Sequence, residues 1–199
     1  MKKILSLYIL ICFLFLSQLS IKAQDNIIKA NILSPIVKTG SFFYERSISK
    51  KSALQLGLFV TAFEINGYIV GEEEKKSQTK WSGFGITPEY RYHFSANKLK
   101  GFYLAVFFRF QKLSVSYKDY DEFYNSKSRL TTFGGGLLIG YQWVIKEQLS
   151  VGSFIGPRYY FDNWKIESGN VILTNTSYSN QEFYTGLGIR LGITVGIGF

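Results

Sequence analysis

The final segment of the chain is the sequence feature that most constrains the fold. Apolar side chains occupy every second position from Leu187 to Phe199, and glycine, threonine and one arginine occupy the positions between them. A helix repeats its apolar residues every three to four positions, so a strict period of two predicts a β-strand with one apolar face. The same alternation runs through residues 52–63. We therefore expect an all-β protein.

Eight such segments follow one another along residues 24–199. Most exceed the five or six residues usual in globular sheets, and they suit tilted strands that cross a bilayer in about 9–11 residues. Short connections near residues 48–51, 95–100 and 145–148 alternate with long polar ones at 64–80, 114–129 and 161–183, as in outer-membrane barrels. The connection at 34–39 breaks this pattern, because it is short where a long loop is expected. We predict an eight-stranded antiparallel up-and-down transmembrane β-barrel with strands at residues 26–33, 40–47, 52–63, 81–94, 101–113, 130–144, 149–160 and 184–199.

Charged residues within the predicted strands lie mostly on the face opposite the aliphatic residues. The aliphatic face is too bulky for the interior of an eight-stranded barrel, whereas the opposite face is rich in glycine. We therefore expect the aliphatic face to meet lipid and the charged face to line the lumen. An arginine facing lipid would cost about 2–4 kcal/mol at the midplane, and an unpaired charge in the lumen would also be costly. The hypothesis is a lumen network in which Glu45 and Glu89 pair with some of Arg91, Arg109, Arg158 and Arg190.

Aromatic residues concentrate near both ends of the predicted strands. Two such bands match the interfacial girdles of membrane barrels. The band near the short turns comprises Tyr90, Tyr92, Phe94, Phe102, Tyr141, Trp143 and Phe199, and the band near the long loops comprises Trp81, Tyr159, Tyr160 and Trp164.

The first 23 residues have the layout of a secretory signal peptide. Lys2 and Lys3 precede a run of about 16 apolar residues, shorter than the roughly 20 that a spanning helix needs, and Ala23 offers a cleavage site. We expect residues 1–23 to be removed and residues 24–199 to form the barrel domain in the outer membrane of a diderm bacterium, with both termini in the periplasm. Cys12 would leave with the signal, which excludes disulfides and thiol catalysis from the mature chain.

No residue pattern predicts a catalytic, cofactor or metal site. His93 is the only histidine, and its lumen-facing position near a short turn favours a hydrogen-bonded lumen residue over a member of a catalytic triad. Glu72, Glu73 and Glu74 are interpreted as a solvated loop tip. The loop acids Asp119, Asp121 and Glu122 lack the spacing and the glycine of a calcium loop.

The net charge of +9 does not indicate a nucleic-acid partner. Nucleic-acid-binding domains cluster basic residues on one face, whereas the 23 Lys and Arg residues here are scattered through turns and strands. A wide pore is not expected either, because eight strands enclose a lumen that side chains fill.

Two sets of residues carry a resemblance to known proteins. Residues 192–199, which end in Phe199, resemble the closing-strand signal of outer-membrane barrels, and this implies recognition by the barrel-assembly machinery. Residues 41–46 (SFFYER), 86–92 (ITPEYRY), 140–143 (GYQW) and 156–159 (GPRY) resemble a family of small outer-membrane barrels of unknown function. The resemblance implies an OmpA/OmpX-like barrel without an assigned activity. Pro88 and Pro157 depart from an ideal strand and predict local bulges, because proline cannot donate to a ladder.

Three functions remain open on the sequence. The leading hypothesis is a non-enzymatic barrel that contributes to envelope integrity or to surface contacts through its long loops, with outer-membrane lipid and lipopolysaccharide as its surroundings. The alternatives are a lipopolysaccharide-modifying enzyme and a narrow small-solute channel. Loop aromatic residues that could contact a surface ligand are Tyr117, Tyr120, Phe123, Tyr124 and Tyr178.

Overall fold

A computed structural model of the chain describes residues 25–69, 75–95, 97, 99–118, 125–146, 148–169 and 186–199. The predicted signal peptide lies outside these residues, as do the loop acids and every loop aromatic residue named above except Tyr117. No helix in the described part of the chain is long and apolar enough to cross a membrane.

Eight strands form one closed antiparallel barrel in sequential order, which confirms the predicted fold class. A single 3₁₀ turn, Ser34–Val37, joins the first strand to the second. The end of the barrel that carries the connections 48–51, 94–100 and 146–148 is called the short-turn end, and the opposite end the long-loop end. The strands are β1 (Asn26–Asn31), β2 (Thr39–Ser47), β3 (Ser52–Ile69), β4 (Lys75–His93), β5 (Gly101–Lys118), β6 (Ser126–Ile145), β7 (Leu149–Gly169) and β8 (Gly186–Gly198).

The strands next to the long loops are longer than the alternation predicts. β3 and β4 remain paired up to Ile69 and Lys75, where the sequence predicts a loop over residues 64–80. The outward positions of these extensions are polar, so the apolar outward face that marks the rest of each strand stops before them: Glu64, Asn66, Gln78 and Lys80. β1 differs in the opposite direction, since it ends at Asn31 rather than at residue 33.

The two strand prolines do not create bulges, so that expectation is wrong. The register between β4 and β5 is the same on both sides of Pro88, and the register between β6 and β7 is the same on both sides of Pro157. Each proline pairs normally on one side, Pro88 with Leu56 and Pro157 with Ile189, and leaves a gap in the ladder on the other. The missing N–H group therefore interrupts one ladder without shifting it. The register shift between β6 and β7 lies instead between Lys127 and Ser128.

Side chains alternate between the lumen and the exterior as the period of two predicts. On β8, Arg190 and Thr194 are buried, whereas Leu187 is 83 % exposed and Ile189 is 66 % exposed. An exterior of exposed Leu, Ile, Val and Phe is the surface that a membrane barrel presents to hydrocarbon.

The aromatic bands bound this apolar exterior, with one correction. On β4 the outward pair Tyr92 and Phe84 lies eight residues apart, and so does the pair Phe102 and Phe110 on β5. Eight residues span about 27 Å along a strand, or about 20 Å along the axis at a tilt near 40°, close to the roughly 25 Å apolar band of outer-membrane barrels. The predicted long-loop band is partly wrong, because a residue near a strand end faces lipid only if it also has outward parity. Trp81, Tyr160 and Trp164 share the parity of lumen residues and Tyr160 is buried, so the exposed band there comprises Phe84, Phe110, Phe133, Tyr159 and Phe161.

Candidate functional site

An apolar cap seals the lumen at the short-turn end. Leu99, from the turn between β4 and β5, packs with Ile27 of β1 and Ala53 of β3, and all three are buried. Leu99 has a φ of 57°, a left-handed conformation that leucine rarely adopts. Its carbonyl oxygen accepts a hydrogen bond of 2.7 Å from Gln142 Nε2 of β6. The turn is therefore held beneath the barrel, and Leu99 closes the interior.

A buried cluster of ion pairs lies directly above this cap. We call it the plug, and its members are Lys29, Glu45, Glu89, Arg91 and Gln142. Glu45 accepts hydrogen bonds from Lys29 Nζ at 2.6 Å, from Arg91 Nη1 at 3.2 Å and from Gln142 Nε2 at 2.9 Å. The Gln142 side-chain oxygen accepts from Lys29 Nζ at 3.0 Å and from Arg91 Nη1 at 3.2 Å. Charges and hydrogen bonds are thus matched across the lumen, as buried ionic groups require.

The plug joins strands on opposite sides of the barrel. Glu89 and Arg91 lie two residues apart on β4, so both point inward, and Arg91 Nε donates to Glu89 Oε1 at 2.7 Å. The other oxygen of Glu89 accepts from Arg190 Nη1 of β8 at 3.1 Å. Because β1, β2, β4, β6 and β8 all contribute, the network crosses the lumen and fills its cross-section.

The structure brings together some of the predicted charges and leaves others apart. Glu45 pairs with Arg91, and Glu89 pairs with Arg91 and Arg190. Arg109 and Arg158 form no ion pair with a carboxylate among the described residues. The Arg109 guanidinium lies 3.8 Å from the centre of the Phe59 ring, and its Nε donates to Gln111 Oε1 at 3.0 Å. Arg158 lies over the ring of Tyr160 at 4.7 Å.

His93 is buried at the edge of the plug. Its Nε2 atom lies 3.8 Å from Glu45 Oε1, which is longer than a hydrogen bond, and its ring lies 5.3 Å from that of Tyr103. Neither imidazole nitrogen has a hydrogen-bond partner among the described residues. His93 is thus a lumen residue as predicted, but it lacks the expected hydrogen bond. Its side chain is 1 % exposed.

A cavity of about 390 Å³ occupies the lumen on the long-loop side of the plug. We call this cavity the vestibule. Its floor and walls carry Arg109, Arg158 and Arg190 together with the rings of Phe59 and Phe154. Arg190 also lies 4.3 Å from the ring of Phe107 and 5.0 Å from that of Phe154. The 3₁₀ turn borders the vestibule through Ser34 and Val37.

Because β1 ends at Asn31, one side of the vestibule wall has no strand at the long-loop end. β1 pairs with β8 only over residues 194–198 of β8, so within the described chain Gly186–Ile193 pair with β7 alone. Thr39, Gly40 and Ser41 of β2 likewise pair with β3 alone. One further backbone hydrogen bond, from Ile32 N to Ile193 O at 2.9 Å, extends the contact between the β1 side and β8, which we call the seam. The 3₁₀ turn, and not a strand, therefore lies between the upper halves of β2 and β8.

The described residues contain no group of three or more His, Cys, Asp or Glu side chains placed to hold a metal ion. The chemistry that this lumen offers is that of arginine and aromatic groups. Arginine presents planar N–H donors that match oxyanions.

Two members of the plug, Lys29 and Gln142, are not among the residues predicted from the sequence. Lys29 alternates inward between Ile28 and Ala30, so the parity of β1 could have identified it. Gln142 has inward parity between two outward aromatic residues of β6. Neither stands out as an ion-pair partner, because the pairing depends on which strands face each other across the lumen.

Comparison with known proteins adds the family. A sequence profile described as "Protein of unknown function (DUF3575)" matches residues 9–194, which is most of the chain. The chain belongs to this family. No curated protein sequence matches it. The family therefore supplies no activity.

The fold is also found in a solved structure. A major outer membrane protein from Thermus thermophilus is 14 % identical, with a TM-score of 0.51 over 89 % of this chain and 100 % of that chain. CarO from Acinetobacter baumannii is 12 % identical, with a TM-score of 0.39 over 88 % of this chain and 97 % of that chain. At such identities the likeness to the Thermus protein shows the fold alone.

Proposed function

We propose that the protein is a non-enzymatic, non-conducting barrel of the outer membrane that serves envelope structure or surface contacts. The observation that carries this proposal is the plug. Its side chains cross the lumen from four strands and bind Arg190 of a fifth, and the cap of Ile27, Ala53 and Leu99 lies beneath it. A lumen filled by matched ion pairs leaves no continuous path for a solute.

The apolar exterior and the aromatic bands support placement in a bilayer. The similarity in fold to an outer-membrane protein of Thermus supports the outer membrane as that bilayer. With both termini at the short-turn end, the orientation usual for such barrels places the short turns in the periplasm and the long loops outside the cell. Protease treatment of intact cells tests this orientation. Cleavage within the long loops is expected, whereas a tag inserted between Ala23 and Asn26 should be cleaved only in permeabilised cells.

Conductance across a planar bilayer tests the closed lumen. The purified full chain should give no stepwise current, while a porin of 16 strands reconstituted in the same way gives large steps. Steady unitary currents from the wild-type chain would refute the closed lumen. Lipid A analysis of a deletion strain tests the enzymatic alternative, since an altered acylation pattern that His93→Ala reproduces would favour an enzyme.

The partners proposed for the chain are outer-membrane lipid with lipopolysaccharide and the barrel-assembly machinery. Support for the second comes from the C-terminal strand, whose outward face is apolar up to Phe199. The backbone of Phe199 also closes the seam by exchanging hydrogen bonds with Asn26 at 3.0 and 3.2 Å. Deleting Phe199 should lower the amount of folded barrel in the outer membrane, and the heat-modifiable band on a cold gel measures that amount. An unchanged amount would argue against recognition through this residue.

A further inference from the structure

We propose that the vestibule is a binding site for an oxyanion, a phosphate or carboxylate group held by Arg109, Arg158 and Arg190. This site goes beyond the structural role, which needs no ligand. Three observations carry the proposal: an excess of positive charge in the lumen, the contacts of the guanidinium groups with aromatic rings, and an entrance that the plug does not block.

The charge of the lumen is balanced at the plug and positive above it. Lys29 and Arg91 match Glu45 and Glu89 within the plug. Above the plug, Asp162 accepts a hydrogen bond from Thr132 and is the one inward carboxylate among the described residues at that level. Uncompensated charge in a narrow lumen is costly, and a bound anion would compensate it. Among the strand residues whose burial the structure describes, the buried or half-buried ionic side chains are Lys29, Arg91, Arg109, Arg158 and Arg190 against Glu45, Glu89 and Asp162.

Arg109 and Arg158 both lie over aromatic rings. The central guanidinium carbon of Arg109 lies 3.8 Å from the centre of the Phe59 ring, and that of Arg158 lies 4.7 Å from the centre of the Tyr160 ring. A guanidinium over a ring can still present the N–H donors at its edge to an oxyanion, which they bond in pairs. Arg109 uses its Nε for Gln111, and its terminal NH₂ groups can donate to a ligand. The ring contacts also restrict these side chains before a ligand binds, which lowers the entropy lost on binding.

The vestibule has a suitable size and an entrance. Its volume of about 390 Å³ falls within the range of small-molecule sites. The plug closes it below, and within the described chain the vestibule opens toward the long-loop end and beside the 3₁₀ turn. Val37, Ile189 and Leu191 border the cavity there, and the upper half of β8 lacks a strand partner on that side within the described chain. This apolar border would accommodate the hydrocarbon part of a lipid whose anionic group reaches the arginines.

Calorimetric titration of the full chain in a non-ionic, phosphate-free detergent tests the site. One arm uses inorganic phosphate and the other uses dihexanoyl phosphatidic acid, a short-chain lipid with the same charged group. Arg109→Gln and Arg158→Gln should each weaken binding roughly ten-fold, because each removes charge-assisted hydrogen bonds. Lys112→Gln is the matched control, since Lys112 lies on β5 near Arg109 but points outward, and it should leave affinity unchanged.

The two ligands distinguish a free anion from a lipid. Arginine-dependent binding of inorganic phosphate supports a site for free anions, and arginine-dependent binding of the lipid alone supports a lipid ligand. Failure of both ligands to bind wild type, or equal affinity of wild type and both arginine variants, overturns the proposal. As a second readout, a binding anion should raise the urea midpoint of wild type and not of the Arg109→Gln, Arg158→Gln double variant. The double variant should be at least as stable as wild type without anion, which distinguishes a lost ligand site from misfolding.

Discussion

Replacing Glu45 by glutamine removes one negative charge from the plug while it preserves the size of the side chain. The change leaves Lys29 Nζ and Arg91 Nη1 beside a neutral amide, where they now lie 2.6 and 3.2 Å from carboxylate oxygens. Both cations are about as buried as any residue in the protein, since their side chains are 0 % and 1 % exposed. Breaking a buried ion pair by neutralising one partner costs about 3–5 kcal/mol. Arg91 keeps Glu89, so most of this cost should fall on Lys29.

Urea unfolding of the barrel in lipid vesicles, followed by tryptophan fluorescence, measures the loss. With a denaturant slope of about 2 kcal/mol/M, a loss of 3–5 kcal/mol lowers the midpoint by about 2 M. The matched control is Glu64→Gln, because Glu64 forms an ion pair of 3.4 Å with Lys80 in which the side chains are 38 % and 55 % exposed. Such a pair contributes less than about 1 kcal/mol.

A double variant separates charge from packing. Lys29→Met combined with Glu45→Gln removes both members of the closest pair, and it should be more stable than Glu45→Gln alone because no buried ammonium remains unpaired. Equal losses for Glu45→Gln and Glu64→Gln would refute the reasoning, since they would mean that water reaches the plug and screens it.

Three further predictions concern packing and the lipid face, and the same unfolding assay measures each. Gly85→Ala should lower the free energy of unfolding by about 1–3 kcal/mol, because a Cβ there would overlap the Phe59 ring. Gly40→Ala is the control and should be near neutral, because its Cβ would meet Phe42 at 3.5 Å. Equal costs would contradict the packing. Leu137→Arg, at an outward position that is 61 % exposed and midway between the aromatic bands, should cost about 2–4 kcal/mol, whereas Ile145→Arg at the short-turn edge should cost about 0–1. A smaller loss at residue 137 would place the bilayer elsewhere. Leu99→Ala should cost about 2–5 kcal/mol by opening the cap, while Lys100→Ala, which is exposed, should change little; a neutral Leu99→Ala would show that the cap is not tightly packed.

The barrel could be predicted from the sequence, because an alternation of period two shows which side chains share a face of a strand, whichever strand lies beside it. It placed Arg91, Arg109 and Arg190 in the lumen for that reason. It could not pair them, since Glu45 and Arg91 meet through the stagger of the closed barrel, which no single strand encodes. The role of Leu99 in the cap could not be predicted, because a single apolar residue in a polar turn belongs to no periodic pattern.

The ends of β3 and β4 at the long-loop end and the short pairing of β1 with β8 were not predicted from the sequence. The strand segments 64–69 and 75–80 have polar outward residues such as Glu64, Asn66, Gln78 and Lys80, so the apolar outward face that identifies the other strands does not mark them. The short connection at 34–39 did signal an irregularity, and in the structure it corresponds to the early end of β1.

The brief pairing of β1 with β8 has a kinetic consequence. Contact between these strands covers Ile27–Asn31, whereas β3 and β4 pair along Ser52–Ile69. Local opening begins where the fewest backbone hydrogen bonds must break together. Amide hydrogens of β1 should therefore exchange with deuterium faster than those at the centre of β3 or β4. The barrel is then expected to close last, and to open first, at the junction of its two ends.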